Sequence, residues 1–142
     1  MTDMIKQAAL TSIILLLSTF AGADIYVVAN RDNPTEELAV QQVRDLYLAR
    51  LRAFEDGSAV RVYDREDNRL RQRFLDALVG MNPRQFDAYW ARLVFAGRVL
   101  PLGKAEPDEK LLLIVAEDIN AIGYVDQPPA SEKIKTLLII ND

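Results

Sequence analysis

Short apolar runs rich in β-branched residues alternate with longer amphipathic stretches, and this alternation restricts the fold of the chain more than any other feature. Ile25-Tyr26-Val27-Val28-Ala29 suits a strand buried on both faces. Asn30 to Pro34 is dense in turn formers. A helical pattern then opens at Thr35, with Glu36 and Glu37 in a first turn whose dipole favours negative charge. Ala39, Val43, Leu46 and Tyr47 share one face of it. Glu55 to Ser58 is a turn, and Ala59 to Tyr63 a second strand. Asp64 to Asn68 can cap the next helix, whose apolar stripe is Leu70, Phe74, Ala77 and Leu78. Gly80 stops that helix, and Asn82-Pro83 starts another that buries Phe86, Tyr89, Trp90, Leu93 and Val94. Gly97 to Gly103 reads as loop. A fourth helix follows Pro107 through Leu111, Leu112, Val115 and Ala116. Ile122 to Val125 and Lys135 to Ile140 are the last strands, separated by the hard turn Gln127-Pro128-Pro129. Strands alternating with helices imply an α/β three-layer sandwich around a mixed sheet.

The chain has 142 residues, enough for one domain. Residues 8–23 carry no charge, centre on Ile13 to Leu17 and end in the small-x-small pattern Ala21-Gly22-Ala23. This stretch is shorter than the roughly 20 residues of a spanning helix. Residues 1–23 are therefore expected to be a secretory signal cut after Ala23, with an uncleaved amino-terminal anchor as the alternative. A periplasmic domain of residues 24–142 would remain, with no membrane span of its own.

Composition removes much enzyme chemistry. With no Cys and no His, disulfides, thiolate zinc sites, Cys nucleophiles and the Ser-His-Asp triad are excluded. A net charge of -4 argues against a nucleic-acid binder. The pairs Glu36-Glu37 and Asp64/Glu66/Asp67 lack EF-hand spacing and support no metal site. No nucleophile-base pair is visible, so the expectation is a protein without catalytic activity and without a cofactor.

Three segments carry a resemblance. Val43 to Arg50 followed by Phe54-Glu55-Asp56-Gly57 resembles an "IRDIFLGK…W-x-D/N-G" segment. Ala88 to Gly97 resembles "YW…FTG", and Ala121 to Val125 resembles the "GAIGYV" strand. In this order they are similar to the phosphate-type periplasmic solute-binding family, and more closely to its short, single-lobe members. The resemblance implies a type II periplasmic binding-protein lobe and, as ligand, phosphate or another small oxyanion. The family loop "D-x-x-E/D-G-S-G-T-R…F" binds the anion with backbone N–H groups and hydroxyls at a helix N-terminus. Here the loop reads Asp64-Arg65-Glu66-Asp67-Asn68-Arg69-Leu70-Arg71-Gln72-Arg73-Phe74, one residue shorter and without Gly, Ser or Thr. Arg71 falls at the family Arg, and Asn68 or Arg69 where Ser-Gly stands. Arg65 is the alternative match, to an Arg that precedes the acidic residue in some members. Residues 24–142 hold only two Ser and two Thr, so a surviving anion site must use Arg side chains and helix amides.

The candidate oxyanion site is therefore Arg65, Asp67, Asn68, Arg69 and Arg71, with bidentate Arg as the working group. The competing reading of the same residues is a solvated, salt-bridged helix start. Asn30 and Arg31 join the candidates because they follow a strand end where α/β sheets bind ligands; a turn without ligand explains them equally. Phe86, Tyr89 and Trp90 are either an aromatic platform or core. Two functions follow. One is a solute-binding-like protein with a degenerate oxyanion loop. The other is an envelope accessory protein that uses the lobe as a scaffold to bind an envelope protein or itself.

Overall fold

The structure is a computed structural model and describes residues 23–141. The expected leader, residues 1–23, lies outside the described residues except for Ala23. The elements are β1 Ile25–Asn30, α1 Val40–Tyr47, β2 Arg61–Asp64, α2 Arg69–Val79, α3 Pro83–Phe95, β3 Gly103–Lys104, α4 Asp108–Glu117, β4 Ala121–Val125 and β5 Ile134–Ile140. They form one mixed sheet in the order β3-β2-β4-β1-β5. β2 is parallel to β3 and β4, and β1 is antiparallel to β4 and β5.

Side chains alternate across the sheet, so each central strand feeds two apolar layers. Ile25, Val27 and Ala29 of β1 and Ile122 and Tyr124 of β4 pack under α1, α2 and α3. Val28, Ala121 and Val125 face the other way, onto Leu111 and Val115 of α4. The result is the three-layer α/β sandwich that the alternation implies. Gly123 lets α4 lie close: a Cβ there would stand 2.7 Å from a Leu111 methyl. Among the described residues no helix is long and apolar enough to cross a membrane.

Several boundaries and faces differ from the sequence expectation. α1 begins at Val40, not Thr35. The Asn33 side chain accepts the Thr35 N–H (2.8 Å), and the Leu38 N–H is donated to the Leu137 carbonyl (2.9 Å), so this segment runs extended beside β5. Glu36 and Glu37 are therefore outside the helix, and Glu36 pairs with Lys135. Ala39 is an exposed N-cap rather than part of the buried face. α2 buries Arg71, Phe74, Leu75 and Leu78, while Ala77 is exposed and Leu70 half-buried. In α3 only Phe86 is fully buried; Tyr89, Trp90, Leu93 and Val94 are half-buried. The caps fall where expected. Asn68 and Asn82 each accept a backbone N–H at the start of α2 and α3, and Gly80 ends α2 with φ 64°.

Candidate functional site

β2 ends at Asp64, and its parallel neighbour β4 brings Tyr124 alongside. The chain then turns through Arg65 to Asn68, whose side-chain oxygen accepts the Arg71 N–H at 2.8 Å and starts α2. The first turn of α2 carries Arg71 back over Asp64. Arg71 is fully buried, and each of its three guanidinium nitrogens meets a carboxylate. Nε meets Asp64 Oδ2 at 2.9 Å, Nη1 meets Asp67 Oδ1 at 2.5 Å and Nη2 meets Asp87 Oδ1 at 2.7 Å. The guanidinium also lies 5.7 Å from the Phe86 ring centre, a cation–π contact.

Arg65 is buried as well and equally occupied. Glu106 takes its Nε and Nη2 bidentately, each at 2.8 Å, and the Tyr124 carbonyl accepts Nη1 at 2.9 Å. Asp108 also accepts from Nη2. Asn68 Nδ2 donates to the same Glu106 carboxylate at 2.8 Å, so the α2 cap and the Arg65 pair are one network. Beneath it, Asp64 Oδ1 accepts the Tyr124 hydroxyl (2.7 Å) and the Arg65 N–H (2.8 Å). The Tyr124 ring stacks on Phe74 at 3.6 Å, and Tyr47 meets Phe74 edge-on at 4.8 Å.

The electrostatics follow from these partners. Burial opposes the charge of Arg71, but its bonds to Asp87 and Asp64 outweigh burial and hold the guanidinium above its ordinary value. The same balance holds for Arg65 against Glu106 and Asp108. The hydrogen bonds from Arg65 hold the Glu106 carboxyl below the usual carboxylate range. Burial, and then the charge of Asp64, raise both Tyr124 and Tyr47, so these hydroxyls stay protonated donors. Two guanidinium groups face the carboxylates of Asp64, Asp67, Asp87, Glu106 and Asp108, which leaves the cluster at a formal -3. Among the described residues no buried side-chain nitrogen or oxygen lacks a partner, and no acidic group is arranged to hold a metal ion.

Of the candidates, Arg65, Asp67, Asn68 and Arg71 come together at this point. Arg69 starts α2 but is exposed. Asn30 and Arg31 are elsewhere. The β1–β4 register sets Ala29 beside Ile122, so they lie at the end of the sheet away from Tyr124. There Asn30 Nδ2 donates to the Val115 and Ala116 carbonyls, and its Oδ1 accepts the Asp32 N–H. Those bonds fasten the turn to the end of α4. The aromatic residues of α3 also make ties: Tyr89 and Trp90 donate to the Leu48 and Tyr47 carbonyls at 2.6 and 2.9 Å. The residues that sequence reasoning missed are Asp64, Asp87, Glu106, Asp108 and Tyr124. The local signal for two of them is Glu106-Pro107-Asp108, an acidic helix start next to the loop that ends β3.

No protein-family model matches the sequence, and no curated relative does. The fold has solved counterparts. A candidate phosphate ABC transporter substrate-binding protein from Clostridium perfringens, with bound phosphate, superposes with a TM-score of 0.65 at 17% identity. The alignment covers 81% of this chain and 45% of that one. An ABC-type phosphate transport receptor from Vibrio cholerae gives 0.53 at 16% identity, over 83% of this chain and 47% of that one. A possible phosphate binding protein from Planctomyces limnophilus gives 0.56 at 12% identity, over 83% and 42%. The chain thus spans less than half the length of these neighbours, and what it shares with them is an α/β fold of single-lobe size.

Proposed function

We propose that the chain is a non-catalytic, solute-binding-like protein of the periplasm, a single phosphate-type lobe that acts as an accessory or interaction scaffold. The observation that carries this reading is the occupancy of its anion position. Both arginines that would grip a tetrahedral oxyanion are already bonded to the chain's own carboxylates, Glu106 on Arg65 and Asp64, Asp67 and Asp87 on Arg71. An incoming phosphate would meet a formal -3 cluster and would have to displace a bidentate partner. The hydroxyl and glycine loop that could offset this is missing. In this reading residues 1–23 are an export signal, and the exported chain begins at Asp24. An intact mass that includes residues 1–23 would replace the cleaved signal by an anchor.

Titration calorimetry and thermal unfolding with phosphate, sulfate and small carboxylates test the scaffold reading. It expects no heat and no rise in Tm at millimolar phosphate. A concentration-dependent rise, as mass action demands of a bound ligand, would overturn it in favour of oxyanion binding at Arg65, Asn68 and Arg71. One observation speaks for that second reading. The arginine side chains are 0–2% exposed, whereas Glu106, Asp108, Asp87 and Asp67 reach in from the solvent side, 28 to 73% exposed. An anion could replace Glu106 without moving an arginine.

A further inference from the structure

We infer that the face formed by the end of α3 and the loop leading to β3 docks on an anionic lipid surface. The two most exposed large apolar side chains among the described residues are Phe95 at 97%, on the last turn of α3, and Leu100 at 86%, on the loop that follows it. Ala91, Val94, Pro101 and Leu102 line a shallow groove beside Phe95, which Lys104, Asp64 and Asp87 also border. Soluble domains bury or break up such patches unless a partner covers them.

The charge of the segment identifies the partner. From Ala88 to Ala105 there is no Asp or Glu, while Arg92, Arg98 and Lys104 contribute +3 in a chain whose net charge is -4. All three are exposed, and none is engaged in an ion pair or side-chain hydrogen bond among the described residues. The acids that border the groove, Asp64 and Asp87, are both bonded to Arg71. Two bulky apolar side chains therefore protrude at a helix end and the following loop, in a segment whose three cations are unpaired among the described residues and whose bordering carboxylates, Asp64 and Asp87, are held by Arg71. That combination fits the interfacial layer of a bilayer, where apolar side chains sink to the acyl boundary and Arg and Lys stems reach back to headgroup phosphates. A protein partner would have to supply both an apolar socket and an acidic rim, whereas anionic lipid supplies the two at once. This inference is independent of oxyanion binding: phosphate titration probes the start of α2, and lipid binding probes the opposite end of α3.

The test is flotation of the full chain with phosphatidylcholine vesicles, with and without phosphatidylglycerol, at low and high ionic strength. Residues 1–23 are common to all variants, and the lipid concentration is set so that wild type floats only in part, which keeps that apolar stretch from masking the differences. Wild type is expected to float more strongly with phosphatidylglycerol, and salt should remove the difference. Arg92→Glu/Arg98→Glu/Lys104→Glu should weaken the phosphatidylglycerol-dependent binding by at least about a hundredfold, at about fivefold per lost cation before the repulsion of the added carboxylates. Phe95→Ser/Leu100→Ser should weaken it about a hundredfold or more. Because all five side chains are exposed, thermal unfolding of both variants should match wild type. Equal flotation of wild type and both variants would overturn the inference. So would a dimer in light scattering that Phe95→Ser/Leu100→Ser dissolves with no effect of phosphatidylglycerol, since the face would then join two copies of the chain.

Discussion

Replacing Arg71 by Leu isolates the central ion pair of the site. Arg71 and Asp64 are 0% and 1% exposed and 2.9 Å apart. The Leu side chain keeps most of the apolar stem in place, so the main loss is the charge. Asp64 retains the Tyr124 hydroxyl and the Arg65 N–H, but no cation remains bonded to its side chain. Stranding one partner of a buried pair costs about 3–5 kcal/mol. The bonds to Asp67 and Asp87 add little, because those carboxylates are 73% and 52% exposed and return to water; pairs of that kind contribute under about 1 kcal/mol each. The expected loss is therefore about 3–5 kcal/mol, set against a total of about 5–15 kcal/mol for a domain. Urea unfolding followed by circular dichroism measures it. The double variant Arg71→Leu/Asp64→Asn removes the stranded charge and should recover about 2 kcal/mol or more. A single-variant loss under about 1 kcal/mol, or a double variant no more stable than the single one, would refute the assignment of Asp64 and Arg71 as a coupled buried pair.

Trp90→Ala should cost about 2 kcal/mol by chemical denaturation, short of the ~3–5 of a fully buried ring, because Trp90 is half-buried and loses one bond to the Tyr47 carbonyl. Gly80→Ala should cost about 1 kcal/mol in the same assay, since φ 64° at the end of α2 is strained for any residue with a Cβ. Glu106→Gln should lower Tm most at neutral pH. The Arg65 bonds depress the Glu106 carboxyl in the folded state, so its contribution is full above the unfolded value and is lost as pH falls through the folded one. The gap between wild type and variant should therefore close in acid, and a gap that widens below about pH 4 would contradict the ion pair.

What the sequence made readable was local. Asn68, Gly80 and Asn82-Pro83 mark helix ends through bonds that close within four residues, and all three stand as expected. The start of α1 was hidden because the Leu38 N–H is claimed by Leu137, on a strand near the far end of the chain. An acidic, helix-like segment is there pulled into extended backbone. The face of α2 was misplaced for a related reason. Arg71 holds a position one helical turn before Phe74 and Leu75, and periodicity assigns a charged residue to solvent. The buried carboxylate of Asp64, from the preceding strand, together with Asp67 and Asp87 makes an inward guanidinium tolerable. The rest of the site comes from distant segments: Glu106 lies 41 residues from Arg65, Tyr124 lies 59 from it, and Asp87 lies 16 from Arg71. No spacing rule connects them, whereas the sheet order does, by laying β4 beside β2.

The same geometry sets a conflict between stability and oxyanion affinity. A buried guanidinium needs a counter-charge whether or not a ligand is bound. In a chain of single-lobe size the carboxylates of Glu106, Asp108, Asp87 and Asp67 provide it permanently, so the fold does not depend on a ligand. Any change that frees a guanidinium fork for phosphate also removes that counter-charge. Glu106→Gln would turn a bidentate charged partner of Arg65 into a single neutral acceptor, lowering both the resistance to an incoming anion and the stability of the empty protein. If the carboxylates are what exclude oxyanions, this variant should be less stable than wild type in phosphate-free buffer and should regain part of the difference when phosphate is added, with wild type unmoved. Equal indifference of both proteins to phosphate would show that releasing Glu106 alone does not open Arg65 to an oxyanion, with Asp108 still paired to it.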